Sequence, residues 1–195
     1  SLLKYESAGT VEFLFDETTK EFWFLEVNTR LQVEHPVTEE VTGIDLVREQ
    51  LKIANGEPLD FSQEDIEWFG SSIEVRLYSE DPGNNFLPVT GKLIAFEPTE
   101  DPLVRWDTGV ETGSEITPNF DPMLAKIISY GETRVEAANK LALALENSHF
   151  GGLKTNRDYL ISILRSDEFL KGNTTTDFLD RAKFKDEIKL NEVLI

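Results

Sequence analysis

Leu25-Glu26-Val27-Asn28-Thr29-Arg30-Leu31-Gln32-Val33-Glu34-His35-Pro36 is the stretch that decides how this chain is read. At strand spacing alternate residues share a face, so Glu26, Asn28, Arg30, Gln32 and Glu34 fall on one side. Leu25, Val27, Leu31 and Val33 fall on the other. The apolar side can anchor in a core while groups of different polar chemistry point into one space. An ordinary solvent-facing strand rarely carries that mixture, and the stretch reads as the edge of an active site.

Working outward, residues 11–15 and 21–28 are rich in β-formers and flank the turn-prone Asp16-Glu17-Thr18-Thr19-Lys20, which predicts a hairpin. Loop length then sets the register: an odd loop puts Glu12 and Glu26 on one face, and an even loop separates them. The loop of five residues, 16–20, predicts close diagonal neighbours. Two carboxylates that close repel unless a cation lies between them. With Asn28 they offer hard oxygen ligands suited to Mg²⁺ or Mn²⁺. Two solvent-facing glutamates on a plain hairpin would have the same spacing.

Arg30 presents a planar fork that matches a carboxylate, carbonate or phosphate. Glu34 lies roughly 13 Å further along if the strand is straight. A curve before Pro36 would bring both to one small anion, with Glu34 as general base. Taken alone, the pair reads equally as a surface ion pair worth under about 1 kcal/mol. His35 reads as a hydrogen-bonding anchor of the loop.

The composition of the 195 residues sets the outer bounds. A hydrophobic share of 39% with 13 Phe can bury a core, so wholesale disorder is excluded. Nineteen basic against 37 acidic residues give a formal charge of −18, the wrong sign for binding DNA or RNA. A metal or a local Arg can still reverse the field at one anion site. Without cysteine, disulfides and thiolate-held zinc or iron–sulfur sites are out. No apolar run approaches ~18 residues, so no membrane-spanning helix is expected. The start, Ser1-Leu2-Leu3-Lys4-Tyr5-Glu6, has neither an initiating Met nor the regions of a signal peptide. A piece of an intracellular protein is the expectation.

A helix is predicted over 45–55, with Asp45 as N-cap, a stripe of Leu46, Val47, Gln50, Leu51 and Ala54, and Gly56 and Pro58 beyond it. Residues 57–70 are acidic and irregular and read as a boundary. Beyond them, strands are expected at 72–78, 92–96, 103–107 and 123–130, with a turn at 80–85. A helix over 133–147 buries Val135, Ala138, Leu141, Ala142 and Leu145 at a 3.6-residue period. Asn156 caps a further helix with Leu160, Ile161 and Leu164 inward. Strands followed by helices make an α+β unit.

The string from Glu26 through Val37-Thr38-Glu39 closely resembles the signature of biotin carboxylases, the ATP-grasp component of biotin-dependent carboxylases. The resemblance includes Gly9-Thr10-Val11-Glu12-Phe13, Glu80-Asp81-Pro82, Phe86-Leu87-Pro88, Gly91-Lys92 and Val104-Arg105-Trp106. It continues through Asp121-Pro122-Met123-Leu124-Ala125-Lys126 and Lys154-Thr155-Asn156, in order, to about Asp180. Members of that family use ATP to phosphorylate bicarbonate to carboxyphosphate, then transfer CO₂ to a deprotonated biotin. By position, the resemblance implies that Glu12 and Glu26 bridge two Mg²⁺ or Mn²⁺ ions, with Asn28 beside them, and that Glu12, Leu14 and Glu26 face ATP. It implies that Arg30, Gln32 and the backbone N–H of Val33 bind bicarbonate and that Glu34 removes its proton. It implies that Arg105 stabilises the biotin oxyanion. Taken by itself, Arg105 reads as a strand residue paired across a sheet.

The 195 residues contain no glycine-rich nucleotide lid, no set of phosphate-binding lysines and no Met-Lys-Met attachment motif; Met123 is the only methionine. The resemblance thus implies an α+β fold made of the C-terminal part of an ATP-grasp domain (1–64) and a biotin carboxylase C-terminal domain (66–180). The latter would have a mainly antiparallel sheet and packed helices, and 181–195 would be a helical or frayed tail. Alone, the piece is expected to be inactive. The implied partners are a biotin carboxyl carrier domain, a carboxyltransferase domain or subunit, and a second copy bound through the C-terminal domain; neither nucleic acid nor membrane is expected. The implied location is bacterial cytoplasm, or the mitochondrial matrix or cytosol of a eukaryote. Residues 109–126 and 169–179 resemble the acyl-CoA carboxylase α chains, while urea and pyruvate carboxylases share the main string. Carbamoyl-phosphate synthetase shares the Glu-x-Asn pattern but not the continuation Gln32-Val33-Glu34-His35-Pro36. A non-catalytic dimerisation or scaffold module is the alternative outside enzymes, and a pure scaffold has no use for Arg30, Glu34 and Arg105 together.

Overall fold

The computed structural model describes residues 4–181 and 184. It comprises two units, Ser1–Phe69 and Gly70–Ile195, and its fold class is α+β.

The first unit is a hairpin and two helices. β1 (Thr10–Phe15) pairs antiparallel with β2 (Phe22–Asn28). Phe15 pairs with Phe22, so the loop is 16–21 and even in length, not the odd loop expected. Asp16 closes it by accepting from the backbone N–H of Thr18 at 2.7 Å and of Thr19 at 3.1 Å. An even loop alone would place Glu12 opposite Leu25. A register shift between Glu12 and Phe13 instead leaves Leu25 as the extra residue, and Glu12 faces Glu26 directly. A bulge of this kind re-aims the side chains beyond it.

The expected strand ends at Asn28, and α1 (His35–Thr42) follows a turn. This helix was not anticipated, although Pro36 in its first turn and Gly43 at φ +71 just past its end are the usual boundary residues. α2 (Leu46–Ala54) lies within the expected range, and Asp45 caps it by accepting from Arg48 N–H at 2.8 Å. Its expected buried stripe is not buried: Val47 and Leu51 are exposed. A two-stranded hairpin with two short helices is too small to enclose a core. Phe13, Phe15, Phe22 and Phe24 are exposed for the same reason.

In chain order the second unit runs β3 (Ser71–Tyr78), β4 (Glu80–Asp81), β5 (Leu87–Pro88), β6 (Gly91–Lys92), β7 (Ala95–Glu97), β8 (Val104–Thr108), β9 (Glu115–Ile116), β10 (Met123–Gly131), α3 (Arg134–Glu146), β11 (His149–Gly151), α4 (Arg157–Leu164), α5 (Asp167–Lys171) and α6 (Phe178–Arg181). Its main sheet is antiparallel in the order β3-β10-β8. The strand expected at 92–96 is split, because β6 pairs with β9 while β7 pairs with β11. Alternation gives the main sheet two unlike faces. Ile73, Leu77, Ala125, Ile127 and Val104 join the core, against which α3 lays Ala138, Leu141, Ala142 and Leu145. Each fully buried Leu or Ile side chain here stabilises the fold by about 1.5–3 kcal/mol. Val135, expected inside, is exposed. The other face carries Glu74, Arg76, Arg105, Asp107 and Lys126 around a buried Ile128.

Asn156 precedes α4 but its side chain does not cap it. Its Oδ1 accepts from Tyr78 N–H at 2.9 Å and its Nδ2 donates to the Arg76 carbonyl at 3.1 Å. Itself only 4% exposed, it satisfies part-buried backbone groups of β3 in place of the helix end. Phe184 closes a small aromatic cluster with Tyr159 and Phe178; the rest of the expected tail beyond Arg181 lies outside the described residues.

Gly70 has φ +64, and a Cβ there would stand 2.5 Å from the Gly131 carbonyl oxygen and 2.5 Å from Tyr130 Oη. Gly70→Ala is therefore expected to cost at least about 2 kcal/mol, read as a lower melting temperature. An unchanged melt would contradict this packing.

Candidate active site

In the first unit the bulged hairpin opposes two carboxylates and the chain that follows folds back to hold them. Thr10–Asn28, Glu12–Glu26 and Leu14–Trp23 are cross-strand pairs that share one face. Asn28 Nδ2 donates to Glu12 Oε1 at 2.7 Å and to Glu26 Oε1 at 3.2 Å. Gln32 Nε2 donates to Glu12 Oε1 at 2.8 Å. Like charges opposed on a hairpin repel, and these amide donors offset part of that cost. Arg30 is exposed and joins the group through NH2, 3.5 Å from Asn28 Oδ1, while its NH1 donates to the Leu31 carbonyl at 3.3 Å. Both bonds are long, so the fork is only lightly held. Glu12, Glu26, Asn28, Arg30 and Gln32 thus form one connected set, with Leu14 on the face of Glu12.

Val33 and Glu34 follow on the turn into α1. Glu34 is exposed and occupies the N-cap position, without a side-chain cap bond. The straight-strand placement of Glu34 relative to Arg30 does not apply, because the chain has turned by then. His35 anchors that turn as expected: its Nδ1 donates to the Gln32 carbonyl at 2.8 Å. Its Nε2 lies 3.9 Å from Glu39 Oε1, which in turn accepts from Leu46 N–H at the start of α2.

The donor set suits a divalent ion in part. Glu12 and Glu26 supply hard oxygens from opposed positions, the pairing two-ion sites require. Asn28, however, turns its Nδ2 and not its Oδ1 to the carboxylates, so ligation through oxygen requires a half-turn of its amide. No third His, Cys, Asp or Glu joins the pair among the described residues.

In the second unit Arg105 stands on β8, on the charged face of the main sheet. Its Nε donates to Asp107 Oδ1 at 2.9 Å and its NH2 to Asp107 Oδ2 at 3.0 Å. Lys126 of β10 reaches Asp107 Oδ2 at 3.4 Å. Burial pushes the Asp107 carboxyl up, but hydrogen bonding and charge from Arg105, with Lys126, outweigh it and hold it below the usual carboxylate range. Neither Asp107 nor the pairing of Lys126 with it emerged from sequence reasoning. Asp107 could have, since residues two apart on a strand share a face. Lys126 could not, because only the strand register brings it there.

The first unit matches a model described as "Carbamoyl-phosphate synthase L chain, ATP binding domain" over residues 1–62. The model described as "Biotin carboxylase C-terminal domain" matches residues 74–181, more than half of the chain, and the chain belongs to that family. It is similar to Biotin carboxylase 2 of Bacillus subtilis (strain 168), at 50% identity over 90% of this chain and 39% of that one. It is similar to the mitochondrial propionyl-CoA carboxylase alpha chain of Homo sapiens, at 48% identity over 91% of this chain and 24% of that one. Among solved structures, the biotin carboxylase domain of a thermophilic 2-oxoglutarate carboxylase bound to bicarbonate matches with a TM-score of 0.93 at 39% identity, over 96% of this chain and 42% of that one. The chain thus spans well under half the length of these relatives.

Proposed function

We propose that this chain is the C-terminal portion of a biotin carboxylase that uses ATP and bicarbonate to carboxylate biotin on a carrier domain. Residues 1–64 are the closing segment of an ATP-grasp domain and 66–180 the biotin carboxylase C-terminal domain. The observation that carries the reading is the single hydrogen-bonded set of Glu12, Glu26, Asn28, Arg30 and Gln32, in a chain of this family. Bound MgATP or MnATP supplies the phosphoryl group, with the metal ions neutralising its charge. Glu12 and Glu26 offer oxygens to those ions, with Asn28 beside them, and Leu14 and Trp23 give the same hairpin face an apolar surface for the nucleotide. Arg30 and Gln32, with the Val33 N–H, hold bicarbonate, and Glu34 takes its proton. Arg105 supplies the fixed cation for charge that develops on the biotin oxygen when its ring nitrogen is deprotonated.

The same reading makes these residues inactive alone and active in the full-length chain, beside a carrier domain and a carboxyltransferase that chooses the acceptor. It implies pairing with a second copy through the C-terminal domain. An acyl-CoA is the acceptor that segments 109–126 and 169–179 favour. Among the described residues no helix is long and apolar enough to cross a membrane; the proposed setting is bacterial cytoplasm, or the mitochondrial matrix or cytosol of a eukaryote.

The test is ADP release by the full-length parent chain. Release should require bicarbonate and rise with free biotin, and Arg105→Ala should cut the biotin-dependent part by about 100-fold or more. Turnover indifferent to biotin but dependent on ammonia would replace this reading with the carbamoyl-phosphate one. A folded parent chain without turnover would replace it with a scaffold.

A further inference from the structure

We propose that Asp107 is the positioning residue of Arg105: a carboxylate two residues along β8 that fixes the guanidinium plane while Lys126 of β10 holds the carboxylate itself. This rests on the role given above to Arg105 and adds to it the means by which that cation is held in place.

An arginine on a half-exposed strand sweeps a wide arc through its four side-chain torsions, and a cation that must meet charge only in the transition state is effective when held before the charge appears. Asp107 removes that freedom. Its two oxygens take the Nε and NH2 edge of Arg105 at 2.9 and 3.0 Å, the fork-to-fork contact that fixes orientation as well as distance. The bonds form within one strand, so the geometry follows from local backbone alone.

Lys126 then makes the carboxylate a fixed point. It pairs with Asp107 in the β10–β8 register and approaches Oδ2 at 3.4 Å, with its side chain only 14% exposed. In this trio one carboxylate stands between two cations. Arg76 and Glu74 stand 3.9 Å apart on the same face. By residue count the face carries three cations, Arg76, Arg105 and Lys126, against two carboxylates, Glu74 and Asp107, in a chain whose formal charge is −18. A surface ion pair that served stability alone would contribute under about 1 kcal/mol and would need neither the two-pronged contact nor the second cation.

A double-mutant cycle in the full-length parent chain tests this, read as labelled bicarbonate carried to free biotin. Asp107→Ala is expected to lower kcat about 100-fold, the cost of a misplaced group, without changing the KM for ATP. In an Arg105→Ala background the same substitution should change the rate by less than about twofold, because it acts only through Arg105. Asp107→Glu, which keeps a carboxylate on that face, should recover most of the rate. Asp107→Asn keeps the side-chain volume and replaces the alanine variant in the cycle if that one does not fold. Independent, multiplying losses in the double variant would overturn the positioning role, as would an Asp107→Ala enzyme with parental kcat. If Arg105→Ala itself left the rate intact, the role of Arg105 would fall, and with it this one.

Discussion

Replacing Glu12 and Glu26 together by glutamine should abolish divalent-ion binding at the hairpin of the full-length chain. Among the described residues, these two facing carboxylates are the only pair of hard anionic ligands that the bulged register brings together there. Glutamine keeps their size and loses their charge, so the ion loses its electrostatic reason to bind. The fold should survive, because the change also removes a like-charge repulsion across the two strands. Metal stabilisation of a transferring phosphoryl group is worth several kcal/mol, so metal-dependent ATP turnover should fall about 1000-fold. Water-proton relaxation with Mn²⁺ provides the direct reading. Relaxation enhancement equal to that of the parent would show that these glutamates are not the ligands.

Arg30→Ala should have the second-largest effect, and it should fall on bicarbonate. The guanidinium is exposed and held only by bonds of 3.3 and 3.5 Å, so little internal structure depends on it. What is lost is a charge-assisted contact to the anion, about 1.5–3 kcal/mol or roughly a 10- to 150-fold drop in kcat/KM for bicarbonate. The KM for ATP should not follow. Glu34→Gln should differ in kind by lowering kcat about 100-fold or more with a smaller change in KM, the pattern of a lost proton acceptor. A parental kcat/KM for bicarbonate in Arg30→Ala would remove Arg30 from the anion site.

Much of this arrangement could be read from the chain alone, and the exceptions have physical causes. The period-two pattern of residues 72–78 and the helical period around Leu141 survive because a core enforces them on both elements. The hairpin was legible as well, but its register was not. Loop length predicts pairing only for regular strands, and one extra residue at Leu25 reverses the outcome, so Glu12 meets Glu26 despite an even loop. The alternation that grouped Glu26, Asn28, Arg30 and Gln32 reached a correct association by an incomplete route. Strand geometry ends at Asn28, and Gln32 returns to Glu12 through the turn that His35 anchors. The helix His35–Thr42 was hidden because its residues read as the end of an active-site strand, although Pro36 and Gly43 bracket it. Asn156 shows the limit of local rules: a good capping residue is drawn instead to β3, where it bonds the Tyr78 N–H and the Arg76 carbonyl.

The most direct test of the central claim is the fate of the carbon. Labelled bicarbonate, ATP, Mg²⁺ and free biotin are incubated with the full-length chain and the products separated. The account predicts labelled, acid-labile carboxybiotin that forms only when ATP and the metal are both present. ATP consumed with the label never reaching biotin, or appearing in carbamoyl phosphate once ammonia is supplied, would contradict it.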